Sequence, residues 1–214
     1  EGLKSDRFPQ PFSFKDQSNR AWLFDLKVIT DFQAAQRITA VRGGRLFAVT
    51  VMIKAGIARK ALSHSRGSAA YFSKILQQQT KHYQEKLKEP CGPLMMSLVI
   101  EGGTDRDPSR LHAHMLITAD DNHMKSGGGI WTALRSVSAR EKSSLRVMSN
   151  YMGGAITVGW ARYMAKHNPR KVRRYYCSPA IAKESLEIHR RGCEGRRLIR
   201  KLNRAAIKRE LPKR

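Results

Sequence analysis

The chain has 214 residues, with 41 Lys+Arg against 17 Asp+Glu and a formal charge of +24. A hydrophobic content of 41% is enough for a real core and excludes wholesale disorder, and no run approaches ~18 consecutive apolar residues, so no transmembrane helix is expected. The charge favours a polyanionic partner, most simply nucleic acid, and its spread along the whole chain argues against one basic amphipathic helix lying on a membrane.

The length suits one domain with additions, or two very small domains. The start at Glu1-Gly2, without Met, reads as a trimmed chain from which a targeting segment could have been lost. Cys91, Cys177 and Cys193 are odd in number and share no CxxC spacing. That argues for free thiols in a reducing compartment and against a disulfide framework or a zinc knuckle.

Residues 1–17 read as an irregular arm rich in Pro and Phe. Asp16 or Ser18 is placed to cap a helix carrying Trp22, Leu23, Leu26, Ile29 and Phe32, and Gly43-Gly44 ends it. Arg45 to Lys54 is an apolar, β-branched strand, and Ala69 to Lys88 a long helix stopped by Glu89-Pro90. Leu94 to Glu101 and Leu111 to Thr118 are strand-like runs around a turn-forming loop, which predicts an antiparallel hairpin. Ser126–Gly129 reads as a flexible loop, Ser144 to Tyr151 as a further strand, and Ala155 to His167 as a helix ended by Asn168-Pro169. From Ser178 onward the pattern is helical with a break near Gly192–Gly195, and from Arg190 the charge is almost wholly basic. Such a one-sided excess points to nucleic-acid contact rather than ordinary solvation. The organisation expected is an arm and helix at 1–44, a central domain at 45–178 and a basic helical extension at 179–214.

The sharpest chemical feature is His112-Ala113-His114 inside an apolar strand. Positions i and i+2 share a strand face, so the two imidazoles can converge on one divalent cation while Ala113, Met115 and Ile117 fill the other face. The alternative is a pair of hydrogen-bonded core histidines. Glu101 ends the neighbouring strand of the hairpin and can join them; Asp105 and Asp107 are rival ligands on the loop. Two nitrogens and a carboxylate leave coordination positions open and suit Mg²⁺ or Mn²⁺, or Zn²⁺ on affinity alone. Downstream, Tyr163 and Lys166 stand at i and i+3, so the phenol and the ammonium project from one helix face. A nearby cation favours phenolate.

Glu101, then His112-Ala113-His114, then Tyr163-x-x-Lys166, with the Thr-containing strand Phe47-Ala48-Val49-Thr50-Val51 ahead of them, resembles the HUH endonucleases over roughly residues 45 to 178. The order resembles the rolling-circle replication initiators of plasmids and phages. The slot of a second tyrosine holds His167, which matches the single-tyrosine type. The resemblance implies an α+β fold, a central antiparallel sheet flanked by helices and related to the RRM or ferredoxin-like arrangement. It implies a divalent ion, Mg²⁺ or Mn²⁺, on Glu101, His112 and His114, Tyr163 as nucleophile and Lys166 as its assistant. The expected substrate is single-stranded DNA at a replication origin, with a helicase as a candidate partner, in the cytoplasm of a bacterium or host cell. Arg173, Arg174, Arg196, Arg197, Arg200 and Lys201 are candidate DNA contacts, and Trp131, Trp160, Tyr175 and Tyr176 candidate base-stacking groups. Tyr151, Tyr175 and Tyr176 are rival nucleophiles. A transposase of the same superfamily and a non-catalytic RRM-like binding module are the competing readings.

Overall fold

A computed structural model describes residues 17–104, 106–149, 158–165 and 174–210. Strands β1 (Arg45–Met52), β2 (Met95–Glu101), β3 (His112–Ala119), β4 (Leu145–Ser149) and β5 (Tyr175–Cys177) form one sheet in the order β4-β1-β3-β2-β5. Every neighbouring pair is antiparallel, and β2 and β3 form the expected hairpin with Glu101 opposite His112. The helices are α1 (Gln17–Arg42), α2 (Ala55–Ser63), α3 (Ser68–Lys86), α4 (Asp121–Met124), α5 (Gly129–Val137), α6 (Val158–Ala165) and α7 (Pro179–Glu210). The protein is therefore α+β, a central antiparallel sheet flanked by helices.

Both faces of the sheet are covered, which is why β1, β2 and β3 read as nearly continuous apolar runs rather than as alternating ones. On one face Phe47, Val49, Val51, Leu98, Met115 and Ile117 meet α2, α3 and α5 through residues such as Ala61, Phe72, Leu76 and Leu134. On the other, Leu46, Ala48, Val99 and Leu116 meet Val28, Phe32 and Ala35 of α1, Ala161 and Met164 of α6, and Ile181 of α7. The second core is the narrower of the two, and among the described residues no helix covers the His112 end of its face. That opening holds the polar site described below.

Helices α2, α4 and α5 have no counterpart in the sequence reading. The stretch Ser126–Gly129, expected to be flexible, is a tight turn into α5. Its glycines are there for close approach. A Cβ on Gly128 would run into the Asn122 carbonyl, and one on Gly129 would lie 2.6 Å from Glu89 Oε2. The Glu89 carboxylate accepts from the Gly129 N–H at 3.1 Å and pairs with His123 Nδ1 at 2.6 Å, tying the end of α3 to the start of α5. A carboxylate there also complements the positive end of the helix.

The break expected at Gly192–Gly195 does not exist: α7 runs without interruption from Pro179 to Glu210. Glycine in a helix interior costs about 1 kcal/mol relative to Ala. Arg190 bonds Glu187 at 3.0 Å and Glu194 at 2.9 Å, and Arg191 bonds Glu187 at 2.7 Å, so ion pairs bridge the first glycine and offset part of that cost. The two guanidinium groups hold the Glu187 carboxyl down at about 2. The first half of α7 packs on α1 through Ile188 and the Arg37–Glu184 pair at 3.0 Å. Beyond His189 the described side chains to Ile199 are exposed, Cys193 excepted, so this stretch stands clear of the core. All three cysteines are free. Among the described residues no helix is long and apolar enough to cross a membrane.

Candidate metal centre

His112 and His114 lie on central β3 and point to the face that α1 and α6 partly cover, while Ala113 and Met115 between and beyond them enter the opposite core. Glu101 is the cross-strand partner of His112 and the diagonal neighbour of His114. Glu101 Oε2 lies 3.4 Å from Nε2 of both rings. Among the described residues these three form the one group of His, Cys, Asp or Glu whose ligand atoms converge, all within 4.8 Å of one another. Ligands about 2.1 Å from a common ion sit roughly 3.0–3.4 Å apart in octahedral or tetrahedral geometry, so the carboxylate–imidazole spacing fits an ion with little movement.

The other ring nitrogens are held from behind. His112 Nδ1 donates to the Arg110 carbonyl at 2.9 Å, and His114 Nδ1 is 3.0 Å from the Thr50 hydroxyl. Such contacts set the ring orientation and leave Nε2 with its lone pair toward the ion, the usual arrangement around a metal-binding histidine. Burial sharpens this. The His114 side chain is 5% exposed and Glu101 11%, whereas His112 is 25% exposed on the open side. The residues therefore fit a divalent cation.

Helix α6 brings Tyr163 to the same place. Its hydroxyl is 3.5 Å from His114 Nε2, and its ring meets the His114 ring edge-on with centroids 4.9 Å apart. Trp160, one turn earlier, stacks on Tyr163 at 5.4 Å and 22°, and its indole N–H donates to the Met115 carbonyl at 3.3 Å. The tyrosine is held by ring packing while remaining 41% exposed. Lys166 and Arg173 lie outside the described residues, as do Tyr151 and Asp105.

The rival groups are placed elsewhere. Asp107 pairs with Arg110 at 3.2 Å and does not join the ligand group. Tyr175 is packed beside α1, where its hydroxyl donates to the buried Asp31 carboxylate, which also accepts from Lys27 at 2.7 Å. Burial first, and the Asp31 charge second, push the Tyr175 phenol well above its ordinary range. It is thus a poorer nucleophile than a free phenol, and Lys27 Nζ lies 5.1 Å from its ring centroid. Tyr176 faces the first core and accepts from Gln77 at 2.9 Å, and Trp131 packs against that same core. Of the four aromatics expected to stack on bases, only Trp160 reaches the site, and there its stacking partner is Tyr163.

Arg174 donates to the Gly102 carbonyl at 3.0 Å, bracing the turn that follows Glu101. Arg196 and Arg197 are exposed on the projecting half of α7 and do not line the cleft beside the metal centre; Arg200 and Lys201 follow them on the same helix. That cleft, about 620 Å³, is lined instead by Thr50, Met52, Glu141, Arg146 and Met148 together with His112, His114, Trp160 and Tyr163. Arg146 and Glu141 were missed in the sequence. Arg146 carried a weak signal, as the lone cation inside a short β-like run, LRVMS.

Gly102 supports the centre through its backbone. Its φ is +61°, and a Cβ there would run into the Arg110 carbonyl and lie 3.2 Å from the His112 ring. Gly102→Ala is expected to destabilise the fold by more than about 1 kcal/mol and to weaken metal binding, because the same carbonyl orients His112. Thermal unfolding with and without Mn²⁺ checks both effects.

No protein-family model matches the chain, and no curated protein is recognisably similar to it.

Proposed function

We propose that the protein is a divalent-metal-dependent enzyme of the HUH type that nicks and rejoins single-stranded DNA, starting rolling-circle replication of a plasmid or phage-like element. The observation that carries this is the Tyr163 hydroxyl lying 3.5 Å from a nitrogen of a converging Glu-His-His group. A phenol and three side chains able to hold a metal ion lie together in a basic protein. Glu101, His112 and His114 would hold Mg²⁺ or Mn²⁺, whose Lewis acidity makes the scissile phosphorus more electrophilic.

Tyr163 Oη attacks phosphorus as the P–O3′ bond breaks. The products are a 5′-phosphotyrosine and a free 3′-OH. The phenolic proton leaves and the departing 3′ oxygen gains one, so the proton count is conserved. One phosphodiester replaces another, and a later 3′-OH can reverse the step. Trp160 fixes the ring plane of the nucleophile. Lys166, three residues on in the sequence, steadies negative charge at the phenolate or phosphate.

The projecting half of α7 adds affinity with little sequence choice. Deleting residues 190–214 is expected to weaken binding and to flatten its salt dependence by roughly 0.7 in log–log slope for each phosphate that the segment neutralises. Fluorescence anisotropy across a salt series measures it, and because the described side chains of this half stand clear of the core, thermal stability should hold.

The deciding experiment is incubation with a randomised single-stranded DNA library and Mn²⁺, followed by denaturing isolation of covalent adducts and mass spectrometry of the modified peptide. An adduct on Tyr163 is the expected result. Retention of DNA with no adduct under any divalent metal would instead favour a binding module on an RRM-like sheet.

A further inference from the structure

The cleft beside the metal centre carries more than the nicking step requires. Arg146, Thr50 and His114 form one row across β4, β1 and β3. At about 4.8 Å between strands, Arg146 starts roughly 10 Å from His114, within reach of the phosphate next along an extended strand. In the following row stands Met148, on the edge strand and 55% exposed. On the opposite side of the sheet the same face is closed by Tyr175, Asp31 and Lys27. Among the described residues, a strand leaving the metal centre over this face therefore has its open course toward β4.

Glu141 is the unexpected group. It lines this cleft, it is exposed, and it is not in the metal-ligand group. Among the described residues neither Glu141 nor Arg146 has an ion-pair partner, although both line one cleft of about 620 Å³. A carboxylate is repelled by a phosphate backbone. In a cleft that receives a polyanion it is suited to the one part of a nucleotide that offers donors, the edge of the base. An ionised carboxylate only accepts hydrogen bonds, and single strands are read on their exposed Watson–Crick edges. Guanine alone presents two adjacent donors there, N1–H and the N2 amino group, matching both carboxylate oxygens.

We propose that this cleft is a nucleotide subsite flanking the scissile phosphate, in which Arg146 holds the neighbouring phosphate, Met148 supports the base, and Glu141 selects guanine. The inference rests on the reading of the metal centre as the seat of a scissile phosphate.

The test has two arms, run on the full chain and on its Glu141→Gln and Arg146→Ala variants. In the first, adducts are formed from the randomised library with Mn²⁺ and both product halves are sequenced. Wild type should favour guanine by about tenfold at one position next to the nick, the scale of a bidentate base contact. Glu141→Gln should lose that preference, because the edge of every base offers an amide one donor beside one acceptor. Arg146→Ala should lower yield evenly across sequences. In the second arm, labelled T-rich pentanucleotides with a single central G, A, C or T are bound in EDTA. Adducts without a guanine preference, or with one that Glu141→Gln leaves unchanged, would overturn the subsite and leave nicking standing. Guanine discrimination in the binding arm that Glu141→Gln removes, with no adducts from any protein, would uphold the subsite while the nicking assignment falls. Absence of discrimination in both arms would overturn it.

Discussion

Tyr163→Phe is expected to abolish covalent attachment to DNA while leaving the fold and single-strand affinity essentially as they are. The substitution removes one oxygen and keeps the ring. The stack on Trp160 and the edge-on approach to His114 are made by the ring, so they survive. The hydroxyl–imidazole interaction at 3.5 Å goes, and a hydrogen bond contributes about 0.5–1.5 kcal/mol net. An unassisted phenol, with its pKa near 10, is a weak nucleophile. Its placement beside His114 Nε2 is the geometric reason for choosing it over Tyr175, whose phenol is buried against Asp31 and pushed further from ionisation. Denaturing gel analysis of wild type and variant with radiolabelled single-stranded DNA and Mn²⁺ checks the outcome. A variant that still forms adducts would remove Tyr163 from the mechanism.

Glu101→Gln is expected to be as severe, through the metal and not through the fold. The amide keeps the shape of the side chain but loses the charge that faces both imidazoles at 3.4 Å. Mn²⁺ affinity should fall by more than about 100-fold, beyond the 10–100-fold typical of losing a group that only supports a ligand. Calorimetric titration reads it directly. Thermal unfolding gives a second measure. A ligand at 100 times its Kd stabilises by about 2.7 kcal/mol, or roughly 5–10 °C for a chain of this size, and the variant should lose that increment. The sign with pH follows from the ligand chemistry. The ion needs neutral imidazoles, so the metal-dependent increment is present at neutral and higher pH and is lost on acidification, as protons compete with the ion for the rings. Nicking should decline with it.

Much of this site could be read one residue at a time. Alternation along a strand was enough to put His112 and His114 on one face and Ala113 on the other, because the period of two is a property of the extended backbone itself. The turn-forming stretch between two apolar runs was enough to make β2 and β3 a hairpin, and a hairpin puts Glu101 opposite His112. The helix at Tyr163 followed from its own pattern.

What the local pattern could not contain was everything that depends on which elements become neighbours. The strand order β4-β1-β3-β2-β5 sets β1 beside β3, and only that pairing brings Thr50 behind His114 and Arg146 into the same row. Helices α2, α4 and α5 are short, and α5 begins on glycines that look like a flexible linker until the Glu89 carboxylate is seen closing over the Gly129 N–H. The glycines of α7 suggested a break, yet ion pairs one turn apart and anchorage on α1 carry the helix past them. Tyr175 and Tyr176 sit in a run of cations that suggested a DNA surface, but as neighbours on an edge strand they point to opposite faces and enter opposite cores. Spacing in the chain thus picked out the candidate ligands Glu101, His112 and His114, the candidate nucleophile Tyr163 and the hairpin that joins Glu101 to His112. Long-range packing alone decided which aromatic rings are free to meet a substrate, because burial is a property of the neighbours a residue acquires and not of the residue.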